Sequence, residues 1–256
     1  LPSTLGTSVP NANNCDLRTK GWELSVTWRD HLNNGLNYGI TLNLSDQITI
    51  IDKYPGNDGH KISVGNNSSF IEGRRIGEIW GYETIGIAKS QAEMDAHLAS
   101  LPNGGQRTLA AEWKAGDIMY KDLNGDGKIT RGKGTADDHG DLKVIGNSLP
   151  RYEYSFHLGG SWKGIDLDLF FQGVGKRSDW TIASLNFPMM RSADLAVYEH
   201  QSSYNRVFYS DDWKTITGYD INQGNTYPRL YPGNEAKGTV SGIANGSNNY
   251  YPQSRY

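Results

Sequence analysis

Apolar and polar residues alternate with a period of two in four stretches, and this is the chain's strongest structural signal. Trp22, Leu24, Val26 and Trp28 fall on one side, and Glu23, Ser25, Thr27 and Arg29 on the other. After a turn at His31–Gly35 the pattern resumes. Leu36, Tyr38, Ile40, Leu42 and Leu44 alternate with Asn37, Gly39, Thr41, Asn43 and Ser45. The turn is rich in Asn and Gly, which tolerate the positive φ of tight hairpins. Much later Tyr152, Tyr154, Phe156, Leu158 and Trp162 alternate with Glu153, Ser155, His157 and Ser161. Beyond Lys163–Gly164, Ile165, Leu167, Leu169 and Phe171 alternate with Asp166, Asp168 and Gln172, while Phe170 and Gly173 blur the pattern. The spacing predicts strands over about 17–30, 36–47, 151–162 and 165–175, paired as antiparallel hairpins of one sheet. Trp22, Leu24, Val26, Leu42, Phe156 and Leu169 then share a face.

Two long segments, 49–150 and 177–256, are rich in Gly, Asn, Asp, Ser and Tyr with weak periodicity, and are expected to be loops. One helix is predicted at Gln91–Leu101. Ser90 caps it and Glu93 stands three residues on, the pattern of a capping box. The stretch 233–249 is low in complexity, being rich in Gly, Asn and Ser.

Composition supports an all-β reading. The 256 residues include 15 Tyr, 7 Trp and 31 Gly, and only 36% are hydrophobic. The mean hydropathy of −0.61 suits strands with long polar loops and does not suit a helical bundle. A net charge of −3 without a Lys/Arg stripe argues against nucleic acid as a partner. Cys15 is the single cysteine, so an internal disulfide and a Cys-based zinc site are both excluded. No apolar run approaches the ~18–20 residues of a transmembrane helix. The chain opens Leu-Pro-Ser-Thr, without Met or a signal peptide, and is read as a processed protein or an excerpt.

Two architectures compete. In a soluble β-sandwich one sheet face packs on a core and the other meets water. In a membrane barrel the apolar face meets lipid instead. Three features favour the barrel. The strands approach the ~9–11 residues that span a bilayer. The apolar rows carry Trp22, Trp28, Tyr38, Tyr152 and Trp162 toward their ends, as in an aromatic girdle. Connections alternate short and long, so both tight turns fall on one side and both long segments on the other, as periplasmic turns and extracellular loops do. Glu23, Arg29, Asn43, His157, Asp166 and Asp168 then face the lumen. The fold expected is an antiparallel transmembrane β-barrel portion with two long extracellular loop regions.

Catalytic signatures are missing. The chain has no Gly-x-Ser-x-Gly elbow, no His-Glu-x-x-His and no phosphate-cradling glycine loop. His31, His60, His97, His139, His157 and His200 lack ligand spacing. The carboxylate pairs Asp137–Asp138 and Asp211–Asp212 are sequence neighbours, which on a strand point to opposite faces. No enzyme activity is expected.

Several stretches resemble the SusC/RagA family of TonB-linked outer-membrane proteins. Gly21–Ser25 with Trp28-Arg29-Asp30 resembles its "GWELSLNWRD" strand, and Ile79–Ile87 its "YGYKTDGIF" element. Gly116–Gly127, GDIMYKDLNGDG, is similar to "GDIKYKDLNGDG". Val144–Asn147 resembles "TVIGNP", and Gly164–Val174 resembles "GFDLSLFFQGV". Asp212-Trp213 and Tyr227-Pro228-Arg229-Leu230 follow in the family's order. The matches are collinear over most of 1–256. The resemblance implies an outer-membrane location and a large barrel in a lipid bilayer. It also implies an N-terminal plug engaging TonB, a SusD-like lipoprotein over the extracellular mouth, and oligosaccharide or peptide cargo. Plug and TonB box are not found here, and the chain stops at Ser254-Arg255-Tyr256, just before the last strands the family leads one to expect. The competing reading is a soluble, secreted, calcium-stabilised carbohydrate-binding β module. A glycoside hydrolase fragment has only scattered carboxylates behind it.

A structural Ca²⁺ site is expected at Asp122–Asp141. Asp122, Asn124 and Asp126, followed by Gly127 and Ile129, follow a D-x-[DN]-x-[DN]-G loop whose alternate side chains converge on one point. Gly127 permits the turn that brings the Lys128 carbonyl to the ion. Thr130 and Lys133 stand where the pattern needs further ligands. The resemblance places an acid just before the "TVIG" element, so Asp141 or Asp138 closes the site.

Overall fold

The computed structural model describes residues 13–64, 69–109 and 113–179, with the backbone of 206–209 and 216–220. The motif residues Asp212-Trp213 and Tyr227–Leu230, together with Asp211, His200, the 233–249 stretch and Ser254–Tyr256, lie outside the described residues, as does most of 177–256. The described residues fall into two compact units.

The first unit is an open four-stranded antiparallel sheet, ordered β1 (Asp16–His31), β2 (Asn37–Lys53), β7 (Arg151–Trp162) and β8 (Ile165–Lys176). Val26 pairs with Leu42, Leu42 with Phe156, and Phe156 with Phe171, while Leu158 pairs with Leu169. Trp22, Leu24, Val26, Leu42, Phe156 and Leu169 therefore share one face. Both tight turns lie at one end of the sheet, where Asn37 pairs with Ser161 and the Trp162 indole donates to the Asn34 carbonyl at 3.3 Å. The chain leaves the sheet at Lys53 and re-enters it at Arg151, at the opposite end.

β2 runs six residues past the 47 that alternation gives, because a separate segment covers its end. Ile51 donates to the Arg74 carbonyl and accepts from Gly73 (2.9 and 2.8 Å), and Ile51 and Ile71 are buried. The rings of Tyr54 and Phe70 pack at 5.5 Å. A residue covered on both faces does not alternate, so this stretch read as loop.

The second unit contains β3 (Glu78–Tyr82) paired with β6 (Leu142–Asn147), β4 (Thr84–Ile87) paired with β5 (Ile118–Tyr120), and α1 (Gln91–Ala99). It holds a buried core of Trp80, Tyr82, Met94, Trp113, Ile118, Tyr120, Ile129 and Leu142. Weak periodicity predicts a loop here; the core is instead assembled from single residues, several of them on short strands, which no periodicity reveals. α1 starts where expected, with the Glu93 N–H donating to Ser90 Oγ at 3.2 Å. The return bond goes to the Lys89 N–H at 2.7 Å, one residue outside the expected box. A further antiparallel pair, β9 (Arg206–Tyr209) and β10 (Ile216–Asp220), completes the elements described.

Gln106 ties the core together. It is fully buried, its Nε2 donates to the Ile118 carbonyl at 2.9 Å, and its Oε1 accepts from the Tyr120 N–H. Its own carbonyl accepts from the Trp113 indole at 3.1 Å. One side chain thus joins the 106–109 turn to β5 where strand pairing is short.

Candidate functional site

Two arrangements carry functional chemistry. The first is the sheet of β1, β2, β7 and β8, whose faces differ sharply. Its apolar face is bare, with Trp28 61% and Ile165 69% exposed and Trp22, Leu24, Val26, Leu42, Leu167 and Phe171 about half exposed or more open. The opposite face is a hydrogen-bonded polar ladder. Ser25 donates to Asn43 at 2.7 Å, and Asn43 donates to Ser155 at 2.9 Å. Thr27 and Thr41 hydroxyls meet at 3.1 Å, and His157 Nε2 meets Asp168 at 2.8 Å. Glu23, Arg29, Asn43, His157, Asp166 and Asp168 all lie on this polar face.

One row of the ladder lacks side chains in its middle. Arg29, Gly39, Gly159 and Asp168 are consecutive register partners across the four strands. The rows on either side carry Thr41 and His157, and Asn37 and Ser161. The signal for this gap was present in the alternation, since Gly39 and Gly159 occupy polar-row positions without supplying a polar group.

The second arrangement is the acidic loop of the other unit. Asp122, Asp126 and Asp141 each place a carboxylate oxygen within 4.8 Å of the others. Local geometry holds them there. Asp122 accepts from the Gly125 and Gly127 N–H groups at 2.7 and 2.8 Å. Asn124 accepts from the Asp126 N–H at 3.0 Å and donates to its carboxylate at 3.2 Å. The Lys128 N–H donates to Asp126 at 3.1 Å, and its ammonium stands 4.0 Å from that carboxylate. Asp141 is fully buried at the entry to β6 and accepts from the Leu123 and Thr130 N–H groups at 2.8 and 2.7 Å. Asp138 pairs instead with Lys133 at 3.6 Å. Burial pushes the Asp141 carboxyl above its usual range, opposed by the N–H groups of Thr130, Leu123 and Asn124, and the Asp122 charge adds to the rise.

This donor set fits a hard cation. Oxygens bound to one Ca²⁺ stand at most roughly 4.6–5.2 Å apart, twice the usual Ca–O distance, and the three carboxylates lie within that limit. Sequence reasoning missed the support beneath the loop. Asn103 donates to the Asp126 carbonyl at 2.6 Å, and the Thr108 hydroxyl donates to the Ile129 carbonyl. These side chains reach carbonyls more than twenty residues away and leave no motif.

Comparison with known proteins gives a similarity to receptors of one kind. No family model matches the chain. It is 28% identical over 195 residues to "TonB-dependent receptor P3" of Formosa agariphila, covering 72% of this chain and 18% of that protein. It is likewise 28% identical over 179 residues to "TonB-dependent receptor P26" of the same organism, covering 68% of this chain and 16% of that one. The chain thus spans less than a fifth of the length of these relatives. With the collinear motifs and the two-faced antiparallel sheet beside it, the chain is similar to TonB-dependent receptors over about 70% of its length.

Proposed function

We propose that this chain is part of a TonB-dependent outer-membrane transporter and that its four-stranded sheet is a section of barrel wall. The observation that carries the reading is the bare apolar face. Along β7 it runs from Tyr152 to Trp162, ten residue steps. At about 3.4 Å each these cover roughly 34 Å, and a tilt of about 40° reduces the height to roughly 26 Å, near the ~25 Å apolar band of such barrels. Asp46, held by Arg151, closes the face near one end, and Lys163, 4.6 Å over the Trp162 ring, marks the other. In water such a face is a liability; in lipid it is the wall's outer surface. Both edges, β1 and β8, then await neighbouring strands of the longer protein.

On this reading the tight-turn end faces the periplasm and the 54–150 segment leaves from the extracellular end, where a SusD-like lipoprotein closes over the mouth. The cargo is an oligosaccharide or a peptide, driven inward by TonB through parts of the protein outside this chain. Surface protease on intact cells should cut within 54–150 and spare 32–36 and 163–164. Uptake of a labelled oligosaccharide or peptide should require both the receptor and TonB. Cleavage only after the outer membrane is breached, or uptake indifferent to TonB, defeats the reading.

A structural Ca²⁺ held by Asp122, Asp126 and Asp141, with Asn124 and the Lys128 carbonyl near it, is a second part of the proposal. Its support is the burial of Asp141 beside the half-buried Asp122, since a carboxylate out of water next to a second one calls for a cation. Calorimetric titration of calcium into chelator-stripped receptor, with Asp126→Ala as control, tests it. No heat, or the same heat in the variant, leaves these residues as a turn.

A further inference from the structure

We infer that the glycine gap on the polar face, bounded by Arg29, is a binding subsite for a carboxylate group of a solute. It rests on the transport reading only for its place along a path through the barrel.

Arg29 is the anchor. Its guanidinium has no hydrogen-bond or ion-pair partner among the described residues. Its stem leans onto β2, since a β-carbon built on Gly39 would stand 3.3 Å from Arg29 Cγ. Glycine at 39 is therefore what lets this side chain lie across the neighbouring strand. Next in the row, a β-carbon on Gly159 meets nothing within 4 Å, so the floor beyond Gly39 is open backbone. The groove over this floor is lined by Arg29, Thr41, His157 and Ser161, and also by the carboxylate residues Asp30, Asp166 and Asp168.

The charges around the gap are uneven. Asp168 is engaged by His157 at 2.8 Å. Asp168 and Asp166 stand on β8, two strand spacings or about 10 Å from Gly39, about one screening length of ordinary saline. Arg29, whose stem lies over Gly39, is the charged residue nearest that position. A single guanidinium with a planar fork of donors matches one carboxylate by two parallel hydrogen bonds. A phosphate dianion asks for a second cation or a nest of N–H groups, and the row offers neither. The hydroxyl and amide groups of Thr41, Asn37 and Ser161 suit the neutral polar remainder of a sugar or a peptide.

Two solutes present this chemistry, an acidic sugar and a peptide C-terminus, and the test separates them. The full receptor is purified in detergent and titrated with digalacturonate and its methyl ester, and with triglycine and its C-terminal amide. The acid should bind about tenfold or more tightly than its neutral partner in at least one pair. Preference for digalacturonate alone assigns the acidic sugar, for triglycine alone the peptide end, and for both the carboxylate as such. Arg29→Gln should abolish the preference, and Gly159→Val, which fills the floor, should weaken binding with Arg29 intact. Unchanged heat-modifiable migration on gels checks that each variant is folded. Equal binding of acid and neutral partner in both pairs, or a preference that survives Arg29→Gln, overturns the subsite. Binding is read without TonB, so a receptor that transports but shows no preference counts against the subsite alone. One that shows the preference but never transports counts against the transport reading.

Discussion

The ring of Tyr154 on β7 lies across Gly173 on β8, its register partner: a β-carbon built on Gly173 falls 2.5 Å from Tyr154 Cζ. This contact explains why alternation fails at Gly173. The apolar row needs no side chain there, because the neighbouring ring covers the position, a known device for glycines in sheets. Gly173→Val should expel the ring and destabilise the sheet by about 1–3 kcal/mol, the usual range for overpacking. In a Tyr154→Ala background the same substitution should cost less than about half as much. Urea unfolding of the full receptor refolded in vesicles measures both. An equal penalty in the two backgrounds means the ring does not occupy that space.

Gln106 makes a prediction of different kind. Gln106→Leu keeps approximate volume but removes the side-chain bonds to the Tyr120 N–H, the Ile118 carbonyl and His97 Nε2, at about 1–3 kcal/mol in all. The second unit should then open first, seen as faster amide exchange over 106–120 with β1, β2, β7 and β8 unchanged. Wild-type protection in the variant would show that water or backbone shifts replace the glutamine.

Much of the sheet was legible because a strand with one apolar and one polar face writes its geometry into the sequence with a period of two. Leu24, Leu42 and Phe156 could be placed on one face from parity alone. The second unit was not legible for the converse reason. Trp80, Ile118 and Leu142 lie on strands of three to six residues, too short for a repeat to show, and they meet only in three dimensions. The acidic loop stands between these cases. Asp122, Asn124 and Asp126 have motif spacing, whereas Asp141 arrives from β6 across an intervening loop. Gly132 and Gly140 let that loop close, since a β-carbon on Gly140 would fall 2.9 Å from the Arg131 carbonyl carbon, at a φ of 56°.

Asp141 and Glu83 should give the second unit opposing pH responses. Asp141 is pushed up, first by burial. A carboxyl whose folded pKa is raised contributes stability in full below its unfolded value of about 3.9 and loses it as pH rises through the folded value. Glu83 is pulled down, first by its hydrogen bond from Lys143 at 2.7 Å. It contributes stability above about 4.3 and loses it as pH falls through the folded value. In chelator, Asp141→Asn should therefore flatten the decline from mild acid toward neutral, and Glu83→Gln should flatten the decline on the strongly acid side. Calcium at a hundred times its dissociation constant should add about 2.7 kcal/mol at neutral pH. That gain should fade in acid as Asp141 takes up its proton. Thermal melts against pH, with chelator and with calcium, read all three; a calcium gain that is flat with pH would remove Asp141 from the ligand set.

The strongest test of the sheet's setting is its parity, because lipid and water must alternate residue by residue if the apolar face is the outside of a wall. Leu24, Leu42 and Phe156 lie on the apolar face, and Ser25, Asn43 and Ser155 are bonded in one polar row behind it. Cys15 is exposed and is this chain's single cysteine, so Cys15→Ser, with any cysteine in the rest of the receptor also replaced, gives a clean background for single cysteines at these six positions. Each is labelled with an environment-sensitive fluorophore in receptor reconstituted into vesicles. Spin-labelled lipid should quench labels at 24, 42 and 156 several-fold more than those at 25, 43 and 155. Iodide should do the reverse wherever the polar row reaches water. Moving one residue along β2, from 42 to 43, should invert the ratio, since successive side chains in a strand point to opposite faces. A soluble module predicts iodide quenching, or burial from both quenchers, at 24, 42 and 156. Either pattern would take this sheet out of the membrane, whatever the family does elsewhere.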